Sequence, residues 1–370
     1  MKLYDNYIEN IKTVISRDKI LKSRHIDSFE KSIKGFSGTE GNILNERKLF
    51  SLKPLNSLEP LVQAVGKVSV EEQKLGEHPD FKHLKRTYGS EYHYITSAFI
   101  DIKNSTGLFR KYSPSNVMEI TNTIQRAAIH TCVIFGGYIQ RLQGDGVFVY
   151  FGGKGVPKKD STICALSATS LFTYFVKNDL KKVFEQEGIE DIYTRIGIDF
   201  GDDHKVLWSV AGIGECSEVT TYSLHTSLAS KMQGIANANG IVVGDNVKSV
   251  SLLDEVYFDW VKDSSGDIKK RYIFEDKENS VYYKALDFNW FRYLKSLPFI
   301  YQDSTGEFSY QPTNRQVDDD RIDQLKQTAA LISSGNAYTD RYGNISGNST
   351  GIKNLDHRFH YEDEDKNTRK

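Results

Sequence analysis

Between residues 94 and 101 the chain reads Tyr-Ile-Thr-Ser-Ala-Phe-Ile-Asp, a β-branched and aromatic run that predicts a strand ending on an acid. Positions Val117, Ile120, Ile124, Ala127, Ala128, Thr131 and Phe135 then recur at helical spacing, with Ser113 or Ser115 placed to cap the helix. A hairpin follows. Tyr138, Ile139 and Leu142 face Val147, Phe148 and Val149 across Gly144-Asp145-Gly146, whose glycines supply the positive-φ freedom of a tight turn. Ser161 to Phe184 reads as a second amphipathic helix, with Ala165, Ala168, Leu171, Phe172 and Phe175 apolar. Tyr193 to Phe200 predicts another strand, with Val206 to Ile213 as its expected partner. Ser223 to Ala236 predicts a third helix and Gly240 to Val243 a short strand. Strand, helix, hairpin, helix, strand is the order of a ferredoxin-like α+β sheet with helices on one face and additions after it.

The flanks carry a weaker pattern. Residues 1–91 are charged and helical in pieces, with helix starts expected at Asp27–Lys31 and at Val68–Gln73, the latter capped by Ser69. No chemistry is visible there, and an extension that docks on the rest of the chain or supports a dimer is the expectation. Residues 92–302 form the principal domain. From 303 to 370 the signal fades; 343–370 is rich in Asn, Ser, Gly and charge and is expected to be a flexible tail. The acidic run Glu362 to Asp365 reads as a solvated patch rather than a metal site.

Composition narrows the class of partner. In 370 residues, 39% hydrophobic and 12% aromatic side chains support a real core, and a net charge of -1 gives no general attraction to nucleic acid or an anionic membrane. No apolar run approaches the roughly 18 residues of a spanning helix. The opening MKLYDNYIENIK lacks the apolar stretch of a secretory signal. Cys132, Cys164 and Cys216 are odd in number and set among apolar neighbours, which favours buried thiols over disulfides or a zinc site. A cytoplasmic setting, with no membrane or nucleic-acid partner, is expected.

Chemistry gathers at two acids. If the first strand and the hairpin are neighbours, Asp101 and Asp145 come within a few ångströms, and two such carboxylates repel unless cations lie between them. A pair of Mg²⁺ or Mn²⁺ ions held by both acids and a backbone carbonyl such as that of Ile102 would resolve the repulsion and suit phosphoryl transfer. The stretch IKNSTGLF adds Asn104, Ser105, Thr106 and Gly107, whose backbone N–H groups could meet a polyphosphate. It is not a Walker loop, because the glycine spacing and terminal Lys-Ser/Thr are missing. The plainer alternatives stay open at this point: the hairpin tip is also a good structural turn, and the loop also an ordinary polar connection.

Together, FIDIKNSTGLF, GGYIQRLQGDGVFVYFGG, RIGIDFG and TSLASKMQGIA resemble the catalytic domain of class III nucleotidyl cyclases over about residues 92–248, and within that class the pyrimidine cyclases of the Pycsar anti-phage system. The resemblance implies that Asp101, Asp145 and the Ile102 carbonyl hold two divalent metal ions. It implies a reaction in which the ribose 3′-hydroxyl of a nucleoside triphosphate attacks the α-phosphate and diphosphate leaves. The family's Asn-x-x-x-Arg pair, which serves the ribose and the triphosphate, falls on Ser227 and Lys231. Lysine keeps the cation but loses the two-pronged grip, and serine keeps only a hydroxyl. A solvent-facing helix lysine is the competing reading of Lys231.

The resemblance places base reading on Arg141, just before the second acid, and near Thr220. A guanidinium offers only donors, so Arg141 taken alone favours UTP narrowly over CTP, with GTP also compatible; a surface strand cation is the plain alternative. The resemblance further implies a head-to-tail homodimer with acids from one subunit and the base-reading groups and Lys231 from the other, and a cyclic nucleotide read by a separate effector. Two rivals remain: a catalytically silent nucleotide-binding sensor, and another phosphoryl-transfer enzyme on the same sheet, such as a polymerase palm or a diguanylate cyclase. The GG(D/E)EF stretch of the last is absent.

Overall fold

The strand Ile95–Lys103 (β2) runs through the middle of the principal sheet, hydrogen-bonded on both sides. The computed structural model describes residues 2–27, 56–65, 73–269, 271–304, 307–310, 337–339 and 345–347. Before β2 come the helix Asp5–Asp27 (α1) and the short strand Ser90–Tyr92 (β1). After it come the helix Pro114–Ile134 (α2), the hairpin Gly137–Gln143 (β3) and Gly146–Phe151 (β4), and the helix Lys158–Tyr174 (α3). The strands Tyr193–Gly201 (β5), Leu207–Ile213 (β6) and Cys216–Tyr222 (β7) follow, then the helix Leu224–Ile235 (α4) and Gly240–Gly244 (β8). Ser113 caps α2 by accepting from the Asn116 amide, with Pro114 in the first turn, and Ser223 caps α4 at the His225 amide.

In the sheet, β2 is antiparallel to both β4 and β5, while β5 is parallel to β8; Tyr272–Asp276 and Val281–Phe288 extend the β8 edge. Alternation sorts the side chains. Ile100, Ile102, Val147, Val149, Ile196, Ile198, Ile241 and Val243 share one core with Ile120, Ile124 and Ala127 of α2 and Ala165, Leu171 and Phe172 of α3. The intervening positions point the other way, and there the sequence expectation of a single helical face fails. Val242 packs with Leu228 and Met232 of α4, so α4 covers the second face. Gly197 permits it: a Cβ on that residue would sit 2.0 Å from the Ala229 carbonyl oxygen and 2.2 Å from the Gln233 nitrogen. A sheet covered on both faces has apolar or small residues at consecutive positions, a pattern that does not say which helix lies where.

The expected pairing of Val206–Ile213 with β5 is also corrected. Strand β6 pairs with β1 and β7 in a separate three-stranded sheet, and β7 itself was not anticipated from sequence. After Gly201 the chain turns at Asp202 and Asp203, whose Oδ1 accepts from the Tyr94 amide 2.9 Å away. Val206, Trp208 and Val219 then bury against Phe148, Tyr150 and Tyr138 on the second face of the principal sheet. Burial of this aromatic surface outweighs local pairing of β6 with its predecessor.

At the N-terminus, Asp27 closes α1 rather than opening a helix; residues 28–31 and 66–72, with the Ser69 cap, lie outside the described residues. Helix α1 packs on α2 through Tyr4 OH to Thr131 Oγ1 at 2.8 Å, Tyr7 OH to Nδ1 of His130 at 2.6 Å, and Arg17 on the Glu119 carboxylate at 2.6 and 2.7 Å. Residues 1–311 form one compact unit. In the second, residues 312–370, Ala337–Thr339 pairs with Ile345–Gly347, and the expected tail and its acidic run otherwise lie outside the described residues. Cys132 is buried as expected, but Cys216 is exposed because β7 begins at a solvent-facing turn. No helix among the described residues is long and apolar enough to cross a membrane.

Candidate active site

The hairpin tip closes on the end of β2. Ile100 pairs with Val147, so one further step sets Asp101 beside Gly146. A Cβ on Gly146 would lie 3.0 Å from the Ile100 carbonyl oxygen and 3.9 Å from the Asp101 Cα, a spacing that glycine accommodates. The turn is held from α2, where Gln125 Nε2 donates to the carbonyls of Gly144 at 3.0 Å and Gly146 at 3.3 Å. Gly144 has φ 62°, the left-handed conformation that the turn requires. Asp145, half-buried, accepts from Ser105 Oγ at 2.5 Å, so the segment leaving β2 and the hairpin tip are joined directly.

Asp101 projects to the α4 face. Its Oδ2 accepts from Gln233 Nε2 at 2.9 Å, and Lys103 Nζ and Arg195 Nη2 approach to 3.0 and 3.4 Å. These three residues were given no role from sequence, although each left a trace. Lys103 is two residues along the same strand, Arg195 is the cation of RIGIDFG directly across from Asp101 in the register, and Gln233 lies within TSLASKMQGIA. They supply the positive charge and hydrogen bonds that this carboxylate needs. Among the described residues, no group of three or more His, Cys, Asp or Glu side chains gathers as a metal cage. Two carboxylates and a main-chain carbonyl are nevertheless hard oxygen donors of the kind that suit Mg²⁺ or Mn²⁺ when phosphate oxygens complete the shell. The donor set fits.

The loop after β2 is already partly engaged. Asn104 adopts φ 71°, its side chain donates to the Asp191 carbonyl at 3.0 Å, and the Gly107 N–H donates to the Asn104 carbonyl at 3.0 Å. Ser105 holds Asp145, which leaves Thr106 as the member of the four with no described side-chain partner.

Ser227 and Lys231 lie on an exposed stripe of α4, one turn apart. Ser227 Oγ donates back to the Ser223 carbonyl at 3.2 Å. Gln233, two residues after Lys231 and therefore about 200° around the helix, is the residue that meets Asp101. The structure therefore does not bring Lys231 to Asp101 within the chain.

Arg141 and Thr220 occupy β3 and β7. The Arg141 guanidinium is clasped by Glu218: Nη2 meets Oε1, and Nε donates to Oε2 at 3.2 Å. Glu218 carried no sequence signal beyond lying two residues before Thr220. Thr220 Oγ1 is 3.2 Å from the Tyr150 hydroxyl, which also meets Thr221 Oγ1 at 2.8 Å; burial pushes the Tyr150 phenol above its usual range and keeps it neutral. Beneath α4, buried Asp199 accepts from the Tyr283 hydroxyl at 2.6 Å and meets His225 Nδ1 at 2.9 Å. Burial raises the Asp199 pKa, against the opposing pull of His225 and its other hydrogen bonds. This network anchors the first turn of the helix that carries Ser227 and Lys231.

The sequence profile of the adenylate and guanylate cyclase catalytic domain matches residues 87–283, more than half of the chain, and the protein belongs to this family. A cytidylate cyclase of Staphylococcus aureus is 40% identical over 280 residues, which cover 74% of this chain and 66% of the relative. A cytidylate cyclase of Escherichia coli is 34% identical over 266 residues, covering 69% and 57%. The chain thus matches less than two thirds of the length of either. Among solved structures, the adenylyl cyclase CyaB of P. aeruginosa superposes with a TM-score of 0.45 at 19% identity, over 54% of this chain and 95% of that one.

Proposed function

We propose that this protein is a cytidylate cyclase that converts CTP to 3′,5′-cyclic CMP and diphosphate in the cytoplasm. The observation that carries the reading is the closure of the Asp145 turn onto the Asp101 end of β2. Asp101, Asp145 and the Ile102 carbonyl would hold two divalent ions. Bound there, such ions would lower the pKa of the ribose 3′-hydroxyl and spread charge at the α-phosphate. The 3′-oxygen forms a bond to the α-phosphorus, the bond to the β-phosphate bridging oxygen breaks, and the hydroxyl proton passes to water. Ser105 orients the Asp145 carboxylate, and Gln233 fixes that of Asp101. Lys231 meets the negative charge that grows on the departing diphosphate, and Ser227 the ribose.

The narrow preference for UTP gives way to CTP. It assumed a lone guanidinium at the base, whereas Arg141 is paired with a carboxylate, and both relatives reported above are cytidylate cyclases. Because Lys231 faces away from the Asp101 of its own subunit, a head-to-tail homodimer supplies it from the second subunit. A role in anti-phage signalling through a separate effector rests on the resemblance to Pycsar cyclases. Incubating the full chain with each of the four NTPs and Mn²⁺, with products identified by mass spectrometry, tests the reading. Cyclic CMP is expected to exceed cyclic UMP by about tenfold or more. Predominant cyclic UMP overturns the base assignment, a dinucleotide product points to another phosphoryl transferase, and no product points to a sensor.

A further inference from the structure

The contact between Arg141 and Glu218 is built, not incidental. Strands β3 and β7 belong to different sheets and are tied together by the strap at Gly76. The Gly76 N–H donates to the Gln140 carbonyl at 3.0 Å, the Val219 N–H donates to the Gly76 carbonyl at 2.7 Å, and Gln140 Nε2 reaches the Val219 carbonyl at 3.0 Å. Gly76 has φ +69°, and a Cβ there would lie 2.6 Å from the Glu218 Cβ. The strap therefore fixes the spacing of the two strands and pins the stem of Glu218. The Glu218 side chain is 21% exposed, against 54% for Arg141. Its Oε1 is buried and, although the guanidinium touches it, makes no hydrogen bond of ordinary geometry. With its arginine more than half exposed, the pair adds little to stability, about 0–1 kcal/mol, so stability does not explain the construction.

Resting on the reading of the site as a nucleotide cyclase, we propose that Glu218 selects CTP over UTP by accepting a hydrogen bond from the 4-amino group of cytosine. A carboxylate oxygen bound to Arg141 keeps a second lone-pair direction, and the guanidinium keeps N–H donors that Glu218 does not use. The pair presents an acceptor beside donors. The pairing edge of cytosine is its complement, with an amino donor at C4 followed by acceptors at N3 and O2. Uracil places O4 where the amino group would be and so sets two acceptors against each other. Glu218 attracts one pyrimidine and repels the other, and both effects enter the discrimination. Arg141 alone leans narrowly to uracil; its partner Glu218 turns the choice to cytosine.

The test compares wild-type protein, Glu218→Gln and Glu218→Ala. In each, kcat/KM for CTP and UTP is measured, together with displacement of labelled CTP by UTP, and circular dichroism confirms folding. The amide of Glu218→Gln can donate to uracil O4, so the CTP-to-UTP ratio is expected to fall by about 10- to 100-fold, in turnover and in binding. Glu218→Ala, which removes the repulsion without adding a donor, is expected to fall between the wild type and the glutamine variant. A ratio unchanged within about twofold in both folded variants overturns the proposal. Loss of turnover alone leaves the binding ratio to decide. Absence of any cyclic product from the wild type defeats the cyclase reading instead, and the displacement ratio still tests Glu218.

Discussion

Alanine in place of Asp145 is expected to lower cyclisation by about 10³-fold or more while the chain stays folded. Charge stabilisation at a transferring phosphoryl group is among the largest catalytic contributions, and removing one of the two acids proposed to hold the ions would withdraw it. The turn itself does not depend on the carboxylate. Gly144 keeps its left-handed conformation, Gly146 its close approach to β2, and Gln125 its bonds to both carbonyls. The described partner that is lost is Ser105 Oγ, so the melting temperature is expected to stay within about 2 °C. Steady-state rates with CTP and a thermal melt check both halves. Turnover within tenfold of wild type would return Asp145 to the role of a turn residue.

Lys231→Ala is expected to lower kcat by about 10²-fold, with a smaller change in KM, because in the proposed reaction the ammonium acts on charge that develops as diphosphate departs. The companion result concerns subunits. Lys231 lies on the side of α4 away from Gln233 and Asp101, which supports the proposed head-to-tail homodimer, in which each active centre draws on two chains. Equal mixing of Asp145→Ala and Lys231→Ala proteins, each nearly inactive, should therefore restore activity. With half of the dimers mixed and one intact centre in each, recovery approaches about a quarter of wild type. No recovery after subunit exchange, itself verified by a tag on one chain, would argue that each centre is built from a single chain.

The contrast between what sequence conveyed and what it did not is physical. Strand β2, the hairpin and α2 carry strong periods and local signals: alternation, the Gly-Asp-Gly turn and Ser113 before Pro114, and their boundaries fall within a few residues of expectation. The juxtaposition of the Asp101 strand end and the Asp145 turn was legible only through the expected topology: the short turn joins β3 to β4, and the pairing of β4 with β2 spans the whole of α2. Long-range placement left weaker traces. Strand β6 chose Trp208 burial over pairing with β5, and α4 settled where Gly197 lets its backbone approach, both decided by partners distant in sequence. Glu218 was missed because its significance comes from Gly76 and Arg141, 142 and 77 residues away respectively. The direction in which Lys231 points required α4 to be docked before it could be read.

Manganese binding measured by electron paramagnetic resonance, in the presence of 3′-deoxy-CTP, bears most directly on the claim that Asp101 and Asp145 together hold the ions used in catalysis. This analogue lacks the attacking hydroxyl, so the ions and nucleotide can be counted before any reaction. The wild type should bind two Mn²⁺ per bound nucleotide, and the Asp101→Asn, Asp145→Asn double variant should lose the protein-held signal while remaining folded. Equal Mn²⁺ binding by the wild type and the folded double variant would contradict it.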